Sequence, residues 1–207
     1  MDDRTPASGA CVRPPDGPNS AYFPNVPVVT HENRRALFYD DLLRGKTVAV
    51  HFLATRDTGA EALASRLSRV QPLVADRLGR DLYLYSITTD PLHDTPSVLE
   101  AFARRAGARP GWLFLTGHPE TMELLKSRCF AGAPHAHHGP GAEDCSLAML
   151  RYGNEAAGVW GSAPVNSTPQ SIAERLASVR SRPTPEGPFR RRGPSPLRAG
   201  VTAGGQR

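Results

Sequence analysis

The residues best suited to chemistry lie in three short stretches. The first is Ala133-Pro134-His135-Ala136-His137-His138-Gly139-Pro140-Gly141, with three of the chain's seven histidines. Short histidine tracts bind Cu(II), zinc or nickel through imidazole nitrogen, and Cys145 follows close behind. No zinc-ligand spacing is met, and the Gly/Pro flanks equally describe a plain surface loop. The second stretch is Asp90-Pro91-Leu92-His93-Asp94-Thr95-Pro96, an imidazole between two carboxylates, as acid–base chemistry requires. It also reads as a helix start, with Thr95 as cap and Pro96 in the first turn. The third is Thr55-Arg56-Asp57-Thr58-Gly59, followed by Ala60-Glu61. Thr58 to Glu61 has the T-x-x-E form of a capping box. Asp57 and Glu61 would sit at the positive end of the helix dipole, worth about 0.3–1 kcal/mol each. The same two acids are also hard-cation donors.

Other signatures of catalysis are missing from the sequence. There is no G-x-S-x-G, no phosphate-binding loop and no H-E-x-x-H, so the expectation is a protein that is not an enzyme. The three cysteines, Cys11, Cys129 and Cys145, form no disulfide framework and no redox pair. Cys129 follows a helix and suits a small buried hydrophobe. His51, inside an apolar run, reads as a packed core histidine.

The elements that must position these residues follow from hydrophobic pattern. Thr47–Ala54 (TVAVHFLA), Leu82–Thr88 (LYLYSIT) and Trp112–Thr116 (WLFLT) are apolar runs of buried-strand length. Between the first two, Leu63, Leu67, Val70, Val74 and Leu78 recur at helical spacing, with Arg66, Arg69 and Arg77 between them. This predicts a helix from about Ala60 to Leu78, kinked or broken at Pro72 and stopped by Gly79. Thr95-Pro96 opens a second helix that Gly107 closes, and Pro119–Cys129 is a third. Ser146–Tyr152 and Val159–Gly161 read as a hairpin turning at Gly153-Asn154, and Pro169–Val179 as a last helix. Ahead of these, Tyr22–Val29 reads as a proline-bearing edge strand and Leu37–Leu43 as one or two helical turns. Strands and helices alternate from Thr47 onward. This predicts a three-layer α/β fold with a mixed central sheet and a C-terminal hairpin and helix. A thioredoxin-like arrangement fits best.

Charge bounds the partners. The chain carries a formal +5, and residues 181–207 account for all of it through Arg182, Arg190, Arg191, Arg192, Arg198 and Arg207 against Glu186. Residues 1–180 are neutral on balance, so the domain gives no electrostatic case for nucleic acid. Residues 1–21 and the Pro/Arg-rich 181–207 have the composition of disordered segments. Phe189-Arg190-Arg191-Arg192 also suits contact with anionic lipid or RNA. No apolar run reaches membrane-helix length, and the first residues lack a signal-peptide core, so the sequence as it stands predicts a cytoplasmic protein. A start further upstream would allow a periplasmic or membrane-anchored one.

Four segments together resemble the Sco/SenC family. They are Phe38-Tyr39-Asp40-Asp41-Leu42-Leu43-x-Gly45-Lys46; Ser86-Ile87-Thr88-Thr89-Asp90-Pro91-x-x-Asp94-Thr95-Pro96-x-Val98-Leu99; Gly111-Trp112-Leu113-Phe114-Leu115-Thr116-Gly117; and Leu150-Arg151-Tyr152-Gly153-Asn154. The resemblance implies a thioredoxin-like fold over about Tyr22–Arg180 and a role in copper delivery during cytochrome oxidase assembly. The family holds copper with a C-x-x-x-C pair and a later histidine. Carried over, those positions fall on Asp57, Glu61 and Cys145, so all three ligands are substituted. Cu(I) selects sulfur, and this set is poor for it. The expectation is a non-catalytic binding or assembly factor that carries no cofactor. Its partner would be a respiratory-oxidase subunit or another assembly factor. The alternative is a copper- or zinc-handling protein that uses His135, His137 and His138. A thiol oxidoreductase would need a reactive cysteine where Asp57 and Glu61 stand.

Overall fold

The computed structural model describes residues 17–130 and 149–179. The histidine tract, Cys11, Cys145 and the arginine-rich end all lie outside the described residues.

The three apolar runs form the centre of one seven-stranded sheet. Strand β3 (Thr47–Leu53) is buried along its whole length. It runs parallel to β4 (Leu82–Thr88), and β4 parallel to β5 (Trp112–Thr116). Ahead of them come β1 (Pro27–Thr30) and β2 (Arg35–Leu37), and at the end β6 (Met149–Asn154) and β7 (Val159–Pro164). The sheet order is β2-β1-β5-β4-β3-β6-β7, with every outer pairing antiparallel. Two successive right-handed crossovers in one direction put α1 (Ala60–Ser68) and α2 (Pro96–Arg105) on the same face. The last helix, α4 (Pro169–Ser178), joins them there over a core that includes Leu67, Leu84, Leu99, Phe102, Trp112 and Ile172. The opposite face is covered by α3 (Pro119–Phe130) and the turn Phe38–Leu43, over Phe52, Tyr85, Ile87 and Leu125. This is a mixed-sheet, three-layer α/β architecture.

Four local expectations are corrected. Tyr22–Val29 is not the sheet edge: the chain turns at residues 31–34, with Asn33 in the left-handed region at φ 59, and β2 takes the outside position. Helix α1 ends at Ser68, because Pro72 has no N–H to continue the ladder and Gln71–Val74 tightens into a 3-10 turn. Val70 and Val74 still reach the core. Arg77 leaves the polar stripe and is buried. Its guanidinium donates to Thr47 Oγ1 at 3.0 Å, Asp81 at 2.7 Å and the Leu176 carbonyl at 3.2 Å. The hairpin does not turn at Gly153-Asn154, since both belong to β6 and pair with Trp160 and Val159. Gly153 is there for packing: a Cβ would stand 2.4 Å from the Trp160 ring. The turn falls at residues 155–158 instead.

Residues 17–21, read from sequence as lying ahead of the domain, are placed against it. The Glu155 carboxylate is fully buried, and among the described residues no cation pairs with it. It accepts from Asn19 N at 2.8 Å, Asn19 Nδ2 at 2.9 Å, Tyr39 Oη at 2.8 Å and Trp160 Nε1 at 3.0 Å. Burial and this carboxylate raise the Tyr39 phenol to about 12, so it stays a donor.

Candidate functional site

The β3–α1 turn sits at the carboxyl ends of β3 and β4, where open α/β sheets place their ligands. One buried group fixes its backbone. Asp94, fully buried, accepts from Thr55 N at 3.1 Å and Thr88 Oγ1 at 2.6 Å, and its other oxygen accepts from Thr55 Oγ1. Thr88 Oγ1 in turn accepts from Asp90 N at 2.9 Å. Three donors on one carboxylate satisfy a charge that burial would otherwise penalise. Asp94 therefore ties the turn, the end of β4 and the entry to α2 into one unit. The capping expected of this stretch is carried by Thr95, which accepts from Val98 N at 3.4 Å.

The turn's charged side chains are paired outward. Arg56 bonds Asp90, and the guanidinium holds the Asp90 carboxyl below its usual range. Glu61 meets Arg105 of α2 at 3.3 Å, both ends more than half exposed. The T-x-x-E capping box does not form. Gly59 is the cap residue, so Thr58 falls outside the helix and Glu61 lies in its first turn, facing Arg105. Asp57 is exposed, and its carbonyl closes the turn by accepting from Ala60 N at 3.0 Å. Asp57 and Glu61 thus present carboxylate oxygens, one already engaged by an arginine. Oxygen donors do not fit Cu(I), which selects thiolate and thioether. Among the described residues no three His, Cys, Asp or Glu side chains are grouped to hold a metal.

Two of the remaining titratable groups, His51 and Cys129, are buried. His51 is buried on β3. Its Nε2 lies 2.6 Å from Ser86 Oγ, which also accepts from Trp112 Nε1 at 2.8 Å. With one proton and two lone pairs, the Ser86 hydroxyl serves Nε2 as donor or acceptor according to the ring's tautomer, and Nδ1 meets no hydrogen-bond partner among the described residues. Burial lowers this histidine to about 4. Cys129 is fully buried, and burial pushes its thiol up to about 12. An open groove of about 680 Å³ runs between His31-Glu32-Asn33 and the Ser97–Arg104 side of α2. His31 Nδ1 there accepts from Phe114 N at 3.2 Å, so its Nε2 keeps the proton in the neutral ring and is no metal ligand.

Asp94 and Glu155 escaped sequence reasoning. In sequence Asp94 reads as part of a helix start or as a carboxylate beside His93, although an acid ahead of a capping threonine is one more than a cap needs. Glu155 carries no pattern, because its four donors come from four distant segments.

No protein-family model matches this chain, and no curated protein sequence matches it. Solved structures do. A SCO1/SenC family lipoprotein from Bacillus anthracis superposes with a TM-score of 0.59 at 14% identity, over 76% of this chain and 94% of that one. Copper-bound yeast Sco1 gives 0.55 at 16% identity, over 75% and 87%. Copper-bound ScoI from Bradyrhizobium japonicum gives 0.54 at 16% identity, over 76% and 99%. The chain has the thioredoxin-like fold of these Sco proteins.

Proposed function

We propose that this protein is a Sco-like assembly module for a copper-containing respiratory oxidase, working by contact with partners and without thiol or copper chemistry of its own. The observation that carries this reading is the state of the β3–α1 turn. Its frame is built and held by Asp94, while the side chains it presents are Arg56, Asp57 and Glu61. A redox or Cu(I)-transfer site needs thiolate at that turn. A recognition surface needs only fixed geometry and charge, which Asp94 and the Arg56–Asp90 and Glu61–Arg105 pairs supply. The partner is an oxidase subunit or a second assembly factor that docks on this end of the sheet. It would be recognised by charged contacts, which favour rate and specificity over raw affinity.

The test is genetic. Removing the gene should lower oxidase activity in its own host. A variant with Cys11, Cys129 and Cys145 all changed to Ser should restore that activity as well as the wild type does. An Arg56→Glu, Glu61→Arg variant, folded by circular dichroism, should not. Failure of the folded cysteine-free variant to restore activity would show that a thiol is needed and end this reading.

A further inference from the structure

The two edges of the sheet are unlike. On β2, Thr30 N donates to the Arg34 carbonyl at 2.9 Å, so Ala36 also bonds inward to β1, while Arg35 and Leu37 turn outward. That edge is guarded against strand addition. It is three residues long, Arg35 puts an exposed charge on it, and the outward Leu37 N donates to Asp41 Oδ2 at 2.7 Å. The other edge, β7, is six residues long, Val-Trp-Gly-Ser-Ala-Pro, and none of them is charged.

One bond fixes which way the β7 backbone points. Glu155 N donates to the Lys46 carbonyl at 3.0 Å, so Gly153 and Arg151, two and four residues back, also turn their backbone groups to β3. Asn154, Tyr152 and Leu150 therefore face β7, where they meet Val159, Gly161 and Ala163. Trp160 and Ser162 are left with N–H and C=O directed outward. Their side chains are engaged, Trp160 Nε1 with Glu155 and Ser162 Oγ with Arg151. Their backbone groups have no hydrogen-bond partner among the described residues. The next outward group, the Pro164 carbonyl, accepts from Ser167 N at 3.0 Å and closes the edge. These outward groups complement a second copy of themselves. With two β7 strands antiparallel about a two-fold axis at Gly161, Trp160 of each stands opposite Ser162 of the other. Each such pair exchanges two hydrogen bonds, so every outward group of both residues is satisfied. Gly161 faces itself on the axis, at the position where Cα atoms come within about 4.5 Å, and it has no side chain to hold them apart. Val159, 49% exposed, meets the buried Ala163 of the second copy. No charge on either strand meets its like.

We propose that β7 pairs antiparallel with β7 of a second copy of this chain, joining the two seven-stranded sheets into one. The inference is independent of what the β3–α1 turn binds. It is tested with the full chain by sedimentation velocity from micromolar to submillimolar protein, with amide hydrogen exchange followed across the same range. The wild type should pass from monomer to dimer. The Trp160 and Ser162 amides should become protected as it does, whereas the Gly161 amide, bonded inward to Tyr152, should be protected throughout. Ser162→Pro removes an N–H that its own sheet does not use. It should raise the dimer dissociation constant by more than about ten-fold, because the two-fold axis removes two bonds at once. Ser162→Ala keeps that N–H and should dimerise as the wild type does. Val159→Lys should weaken the dimer several-fold, and Leu37→Lys, on the guarded edge, should leave it unchanged. A wild type that stays monomeric would leave this edge to a strand of another protein and overturn the proposal. So would a dimer whose Trp160 and Ser162 amides exchange as fast as in the monomer, or one that Ser162→Pro and Val159→Lys do not weaken. Equal weakening by Ser162→Ala and Ser162→Pro would also overturn it, since the backbone donor would then not be what joins the copies.

Discussion

His51 makes the fold acid-sensitive by a calculable amount. Its side chain sits between β4 and the apolar core under α1 and α2, where no charged group faces it. The imidazole is lowered by burial from 6.5 to about 4. The folded state thus binds this proton later than the unfolded chain does. Stability is full above pH 6.5, falls as pH drops through the unfolded value, and levels off below about 4. The complete effect is about 2.5 pH units at about 1.4 kcal/mol each, or roughly 3 kcal/mol, of which about 2 kcal/mol is lost by pH 5. Urea unfolding of the wild type and of His51→Gln, each at pH 7.5 and pH 5, isolates the term. Gln keeps an acceptor for Ser86 but does not titrate. Carboxylates and the half-buried His31 act alike in both proteins and cancel in the difference. The wild type should lose about 2 kcal/mol more than the variant on acidification. Equal losses in the two proteins would refute the neutral His51 inferred from its burial.

Three further outcomes follow from the buried groups. Asp94→Ala strands the Thr55 amide and two threonine hydroxyls and should cost about 3–5 kcal/mol in chemical unfolding, whereas Arg105→Ala, which removes an exposed pair, should cost under about 1 kcal/mol. Comparable losses in both would contradict the central place given to Asp94. Glu155→Ala should free residues 17–19, read as earlier proteolytic cleavage near Asn19, together with a loss of about 3–5 kcal/mol. Native Cys129 should resist alkylation by iodoacetamide at pH 8 and react only on unfolding, since its thiol is buried and raised to about 12. Rapid labelling of folded protein at Cys129 would place it at the surface.

The central sheet was legible because its three inner strands are continuous apolar runs, and burial on both faces leaves a strand no other pattern. Element order gave the layers and the mixed sheet. What sequence misplaced were features set by tertiary contact. Strand β2 is three residues without apolar alternation, visible only once it pairs with β1. The periodicity from Leu63 to Leu78 ran past Ser68 because Val70 and Val74 face the core from a 3-10 turn as they would from a helix. The capping box failed by one residue, a shift that placed Glu61 opposite Arg105. The turn's lack of cysteine could be read directly, but the group that holds the turn could not. Asp94 acquires its role only through Thr55 and Thr88, brought beside it by β3 and β4.

Cu(I) competition with a chromophoric chelator tests the proposed absence of copper chemistry most directly. The wild type should leave the chelator its copper. A variant carrying Asp57→Cys, Glu61→Cys and Cys145→His should take one copper per chain, because Asp94 still sets the turn while soft donors return to it. Copper capture by the wild type as strong as by the variant would contradict the loss of copper chemistry proposed here. A folded variant that captures none would refute the positions assigned to the site.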